Sequence, residues 1–135
     1  MQYTHIESHN TTPAVRLTLE PTIAQGATVR DCRFGRYTQV GAHARMQDCL
    51  LDDYAYLQEH CDLMSADIGK FSNIAAMVRI NPGFHPMERP TLHHFTYRPV
   101  MFGMAEQDES DFFAWRRKQR VTIGQRHRIG KHVAR

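Results

Sequence analysis

FGRYTQVGAHARMQDCL (34–50), LDDYAYLQEHCDLMSAD (51–67) and IGKFSNIAAMVRI (68–80) are three rows of one pattern. Phe34, Val40 and Met46 return 17 residues later as Leu51, Leu57 and Leu63, and again as Ile68, Ile74 and Ile80. Steps between successive apolar positions read six, six, five. An internal repeat of fixed period decides the architecture before local propensities do. A six-residue period matches neither the helical period of 3.6 nor the alternation of a hairpin strand. It matches a three-sided coil with one apolar residue inward per side and successive coils stacked as parallel strands. The expected class is all-β, a parallel β-solenoid.

Further columns run beside the apolar ones. Thr38, Ala55 and Ser72 form one, Ala44, Cys61 and Val78 a second, and Cys32, Cys49 and Ala66 a third. Small side chains at fixed places are what close packing in a narrow coil demands, so the three cysteines read as core fillers rather than metal or redox motifs. Gly35, Gly41 and Gly69 follow apolar rungs, which suggests tight corners with unusual backbone angles. His43 and His60 are also 17 apart and should stack about 5 Å from each other by strand spacing.

Outward from the ladder, the 135 residues divide into four stretches of one domain. Residues 1–20 are a lead-in without register, and 21–80 are coils beginning at Pro21, Ile23 and Val29. Residues 81–120 carry four of the six prolines and form a loop excursion, a length typical of functional insertions. Near its end, about 108–120, acids precede Phe112, Phe113 and Trp115, and bases follow them, the charge order of a short helix. Residues 121–135 resume the ladder with Ile123 and Ile129. The next rung falls on Arg135, so the sequence reads as an incomplete, C-terminally truncated solenoid.

Apolar content of 41% and charged content of 23% exclude a disordered chain. No run is long enough for a membrane span and no signal pattern opens the chain, so a cytoplasmic location is expected. All acidic residues lie at or before Asp111, while eight Lys and Arg follow it. This basic stretch lacks a recognition helix or an aromatic-interleaved stripe, so a nucleic-acid partner is not expected.

The ladder, Asn81-Pro82-Gly83-Phe84-His85-Pro86-Met87-Glu88, His93-His94-Phe95-Thr96-Tyr97-Arg98 and Phe112-Phe113-Ala114-Trp115-Arg116-Arg117 together resemble the hexapeptide-repeat acyltransferases. The likeness falls in the xenobiotic acetyltransferase branch and is nearest to the phosphonate-metabolism hexapeptide transferases. It covers residues from about Pro21 to Gly130. The resemblance implies a left-handed parallel β-helix, a homotrimer, acetyl-CoA as donor, a small-molecule hydroxyl or amine as acceptor, and no metal. It makes His85 the general base, a role suited to a side chain that titrates near neutral pH. Pro82 and Pro86 would restrain its backbone. Glu88, His93 and His94 are the residues expected to bind the acceptor.

Phe84 stands where the family usually has Asn, and Arg128 where it usually has Trp; Gln125-Arg126-His127-Arg128 looks foreign to a buried coil. The family's further coils build much of the acetyl-CoA groove, so activity is expected to be weak or lost in a chain ending at Arg135. Two alternative readings are a non-catalytic truncated β-helix serving as a binding or assembly module, and a metal-dependent protein like the γ-class carbonic anhydrases built around His43 and His60. The second needs a third protein ligand, and the next position in that column is Met77.

Overall fold

The computed structural model describes residues 2–82 and 97–130. Within them the chain winds as a parallel β-solenoid, each turn giving one short strand to each of three sheets. The first turn carries β1 (Thr22–Ile23), β2 (Thr28–Arg30) and β3 (Arg33–Phe34). The second carries β4 (Gln39–Val40), β5 (Arg45–Gln47) and β6 (Leu50–Leu51), and the third β7 (Tyr56–Leu57), β8 (Asp62–Met64) and β9 (Ala66–Ile68). Next come β10 (Asn73–Ile74) and β11 (Arg79–Ile80); after the excursion, β12 (Val121–Ile123) and β13 (Arg128–Ile129) rejoin the stacks. The sheets run β1-β4-β7-β10-β13, β2-β5-β8-β11 and β3-β6-β9-β12.

The 17-residue column is the strand register. Val40 pairs with Leu57 and Leu57 with Ile74; Met46 pairs with Leu63 and Leu63 with Ile80. Leu51 pairs with Ile68, which in turn meets Ile123 across the excursion. From Val40 to Ile80 every ladder residue is at most 2% exposed. Each such burial stabilises the coil by about 1.5–3 kcal/mol. Ile23, with a neighbouring turn on one side only, is 45% exposed. Thr38, Ala55, Ser72, Ala44, Cys61 and Val78 are buried beside the ladder. The hydroxyls among them are satisfied, Thr38 Oγ1 within its own corner by the Gly35 carbonyl (3.1 Å) and Ser72 Oγ across turns by that of Gly124 (3.0 Å).

The glycines act differently from the expectation. Gly35, Gly41 and Gly69 do not have positive φ; the left-handed corner positions are Tyr37, Tyr54 and Phe71, then His43, His60 and Met77, then Asp31, Asp48 and Ser65. The glycines sit where the next turn presses closest. A Cβ on Gly41 would fall within 3.0 Å of the backbone of Gln58 and Glu59, and one on Gly69 at 2.6 Å from Gly124. Contact between turns requires glycine there, not torsional freedom. At the corners, left-handed side chains lie over one another: Tyr37 on Tyr54 at 5.3 Å and Tyr54 on Phe71 at 4.8 Å, planes within 7°. Ring stacking of this kind offsets part of the cost of a bulky residue at positive φ.

Gln125-Arg126-His127-Arg128 forms such a corner, solvent-exposed rather than buried, which is why polar residues fit it. Arg126 has φ 60°, and its N–H donates to the Lys70 carbonyl (2.8 Å). Arg128 pairs in register with Asn73. Residues 2–20 form no strand or helix and touch the first coil through the Tyr37 N–H, which donates to Thr18 (3.1 Å). Among the described residues no helix is long and apolar enough to cross a membrane.

The described part of the excursion holds a 3₁₀ helix (Pro99–Phe102) and α1 (Ser110–Lys118). The helix is shorter than its charge pattern suggests, because side chains at both ends are engaged elsewhere. Asp108 accepts a hydrogen bond from the Val100 N–H (3.1 Å), and Arg120 is drawn to two carboxylates on the coils.

Candidate functional site

His85, Glu88, His93 and His94 lie outside the described residues. What the structure describes is the frame from which their loop departs and to which it returns. The excursion opens after β11 and closes before β12, at the corner between the second and third sheets.

Polar side chains clamp that corner. Asn81, at left-handed φ 56° and 6% exposed, donates from Nδ2 to the carbonyls of Ser65 (3.2 Å) and Gln119 (2.7 Å). One amide thus joins the end of β11, the corner below and the end of α1. Arg120 spans two turns: its Nη1 meets Asp48 Oδ2 at 2.8 Å and its Nη2 meets Asp67 Oδ1 at 2.7 Å. A further bond runs from Nη2 to the Asp48 carbonyl (3.0 Å), and Ser65 Oγ donates to Asp48 Oδ2 (2.8 Å). Hydrogen bonding to Asp67 leads the interactions that raise the Arg120 pKa, so its charge is secure. Charge-assisted, two-pronged contacts of this kind fix geometry as well as add energy.

Above the clamp the excursion builds its own small core. Tyr97 (3% exposed) stacks on Phe112 at 4.1 Å, and Phe113 meets both edge-on. Arg116 lies 5.0 Å from the Tyr97 ring and donates to its hydroxyl (3.2 Å); Arg98 lies 4.6 Å from the Phe113 ring. A groove runs between this core and the coils, with Arg98, Arg116 and Arg117 on one wall and Gln47, Asp48, Met64 and Ser65 on the other. Its cationic wall suits an anionic or strongly polar group.

The expected histidine pair is present: His43 and His60 stack at 5.3 Å with planes 17° apart, both solvent-exposed. Met77 follows at the same corner position. Among the described residues no three His, Cys, Asp or Glu side chains are grouped so as to hold a metal ion.

Sequence reading passed over Arg120, Asp48, Asp67 and Asn81 as a unit. The one signal was the column Asp31, Asp48, Ser65, whose polar members sit at the corner where the excursion begins; nothing in the spacing tied Arg120 to it. No family model, curated protein or solved structure matches the chain.

Proposed function

We propose that the chain is a hexapeptide-repeat acyltransferase of left-handed β-helical, trimeric type, moving an acetyl group from acetyl-CoA to a small-molecule hydroxyl or amine. The observation that carries this reading is one long excursion on an otherwise regular parallel solenoid, clamped at its base and containing His85. A rigid base matters because catalysis between two substrates depends on holding them in register. In the proposed reaction the His85 imidazole takes the acceptor's proton as its oxygen or nitrogen attacks the thioester carbonyl. The tetrahedral intermediate then collapses, the C–S bond breaks and coenzyme A leaves as its thiol after taking up a proton. Glu88, His93 and His94 are the proposed acceptor contacts, and the reading assigns no resident metal.

The test is acceptor-dependent release of coenzyme A thiol from acetyl-CoA, using the full chain and a panel of hydroxyl and amine acceptors. His85→Ala should lower kcat/KM by about 10²–10⁴-fold, the usual worth of a general base. Turnover that survives this substitution would remove His85 from the mechanism. Binding of coenzyme A without turnover on any acceptor would favour a non-catalytic binding module.

A further inference from the structure

Two of the three cysteines meet across adjacent turns. Arg30 pairs with Gln47 and Arg33 with Leu50, so Cys32 and Cys49 are bracketed by registered pairs on both sides. Neighbouring strands run about 4.8 Å apart, within the span of about 4.4–6.8 Å between Cα atoms that a disulfide bridges. The side chains also adopt matching positions. Each thiol donates to the carbonyl two residues before it, Cys32 to Arg30 and Cys49 to Gln47, both at 3.2 Å. The two sulfurs therefore occupy equivalent places on neighbouring turns. Cys32 is partly exposed while Cys49 is buried, an arrangement of one reachable thiol backed by one protected thiol.

We propose that Cys32 and Cys49 are a thiol–disulfide exchange site, oxidised by a small-molecule disulfide such as glutathione disulfide to a bond that ties the first turn to the second. The neighbouring Cys49 thiol, which can turn its S–H toward a Cys32 thiolate, brings the Cys32 pKa down to about 7, against burial and the Asp48 carboxylate, which oppose ionisation. Interaction with Cys32, followed by burial, pushes the Cys49 thiol up. Cys32 is then the attacking thiolate. Its sulfur displaces one glutathione thiolate, which takes a proton from water, and leaves a mixed disulfide on Cys32. Cys49, one turn away, then attacks the Cys32 sulfur; its proton passes to the departing glutathione sulfur, and the second glutathione leaves as a thiol. Two protein thiols are oxidised by two electrons, and one glutathione disulfide becomes two thiols. Cys61, buried and bonded to the Ala75 carbonyl at 3.0 Å, has no such neighbour and stays reduced.

The test uses the whole native chain in glutathione redox mixtures, with thiol counting and peptide mapping by mass spectrometry. Two thiols should disappear together into a Cys32–Cys49 cross-link, Cys61 should remain free, and dithiothreitol should restore both. Thermal unfolding of the oxidised chain should move to higher temperature. In Cys49→Ser a glutathione adduct should persist on Cys32 because nothing resolves it. A wild-type chain that accumulates a lasting glutathione adduct on Cys32, or that keeps all three thiols, would overturn the proposal.

Discussion

The coils and the excursion are held together by different means. Between Val40 and Ile80 eight ladder residues are at most 2% exposed, each stacked on its counterpart in the turns above or below. Between Tyr97 and Arg120 two side chains, Tyr97 and Phe112, reach comparable depth, and among the described residues Asn81 and Arg120 tie this stretch to the coils. The coils are an apolar stack in which each turn supports the next. The described part of the excursion is a small separate core fastened by hydrogen bonds and ion pairs. A fold of this kind can loosen its loop without losing its scaffold, because polar clamps are weaker than buried ladders.

The largest effect should come from the ladder. Leu57, 1% exposed and paired with Val40 and Ile74, touches the turns on both sides. Leu57→Ala should cost about 2–5 kcal/mol in urea unfolding, the usual range for a buried truncation that leaves a cavity. Ile23→Ala, at a position 45% exposed, should cost less than half as much. Equal costs at the two positions would mean that stacking between turns is not what stabilises the coils.

Next in size is the contact between turns. Gly41→Ala would place a Cβ within 3.0 Å of the backbone of Gln58 and Glu59, which cannot move without shifting the strand. A loss of about 1–3 kcal/mol is expected, as for other overpacked sites. Gly124→Ala meets only the His127 ring, at 3.2 Å, and a side chain can swing aside. Thermal denaturation of the pair should therefore separate them, with Gly124→Ala near wild type.

How far each region was legible follows from the same contrast. The coils could be read because their order is written at fixed intervals: Phe34, Leu51 and Ile68 predict their own pairing, and so did the stack of His43 on His60. The reason for Gly41 could not be read that way. A glycine marks both left-handed corners and close approach, and only the position of Gln58 on the next turn distinguishes the two. Arg120 and Asp48 are 72 residues apart with no repeat to link them, so their contact depends on how the excursion returns. His85, Glu88, His93 and His94 were singled out by likeness to a family, and they lie outside the described residues.

A smaller and more local effect is expected at the clamp. The Arg120, Asp48 and Asp67 side chains are each about one-third exposed, so solvent weakens their attraction. Arg120→Ala should cost about 1 kcal/mol overall, near the upper end for exposed pairs. Its sharper signature is regional. Hydrogen exchange should quicken across Ser110–Lys118 and leave β4, β5, β7 and β8 unchanged. Uniform quickening through the coils would show that the clamp supports the whole fold rather than the excursion.

The smallest effect lies at a coil corner far from the excursion. Asp53 accepts a hydrogen bond from the Arg36 N–H (2.7 Å) and pairs with its guanidinium at 3.2 Å. The backbone bond, more than the ion pair, holds the Asp53 carboxyl below the usual range. Folded Asp53 therefore releases its proton at lower pH than the unfolded chain does. Between those two values acid protonates the unfolded chain first and draws the equilibrium toward it. The contribution is complete above the ordinary aspartate value of about 4 and fades as pH falls through the lower folded value. Thermal midpoints measured from pH 6 down to pH 3 should fall slightly less steeply for Asp53→Asn than for the wild type. Parallel curves would mean that the Asp53 carboxylate contributes no charge-dependent share to this corner.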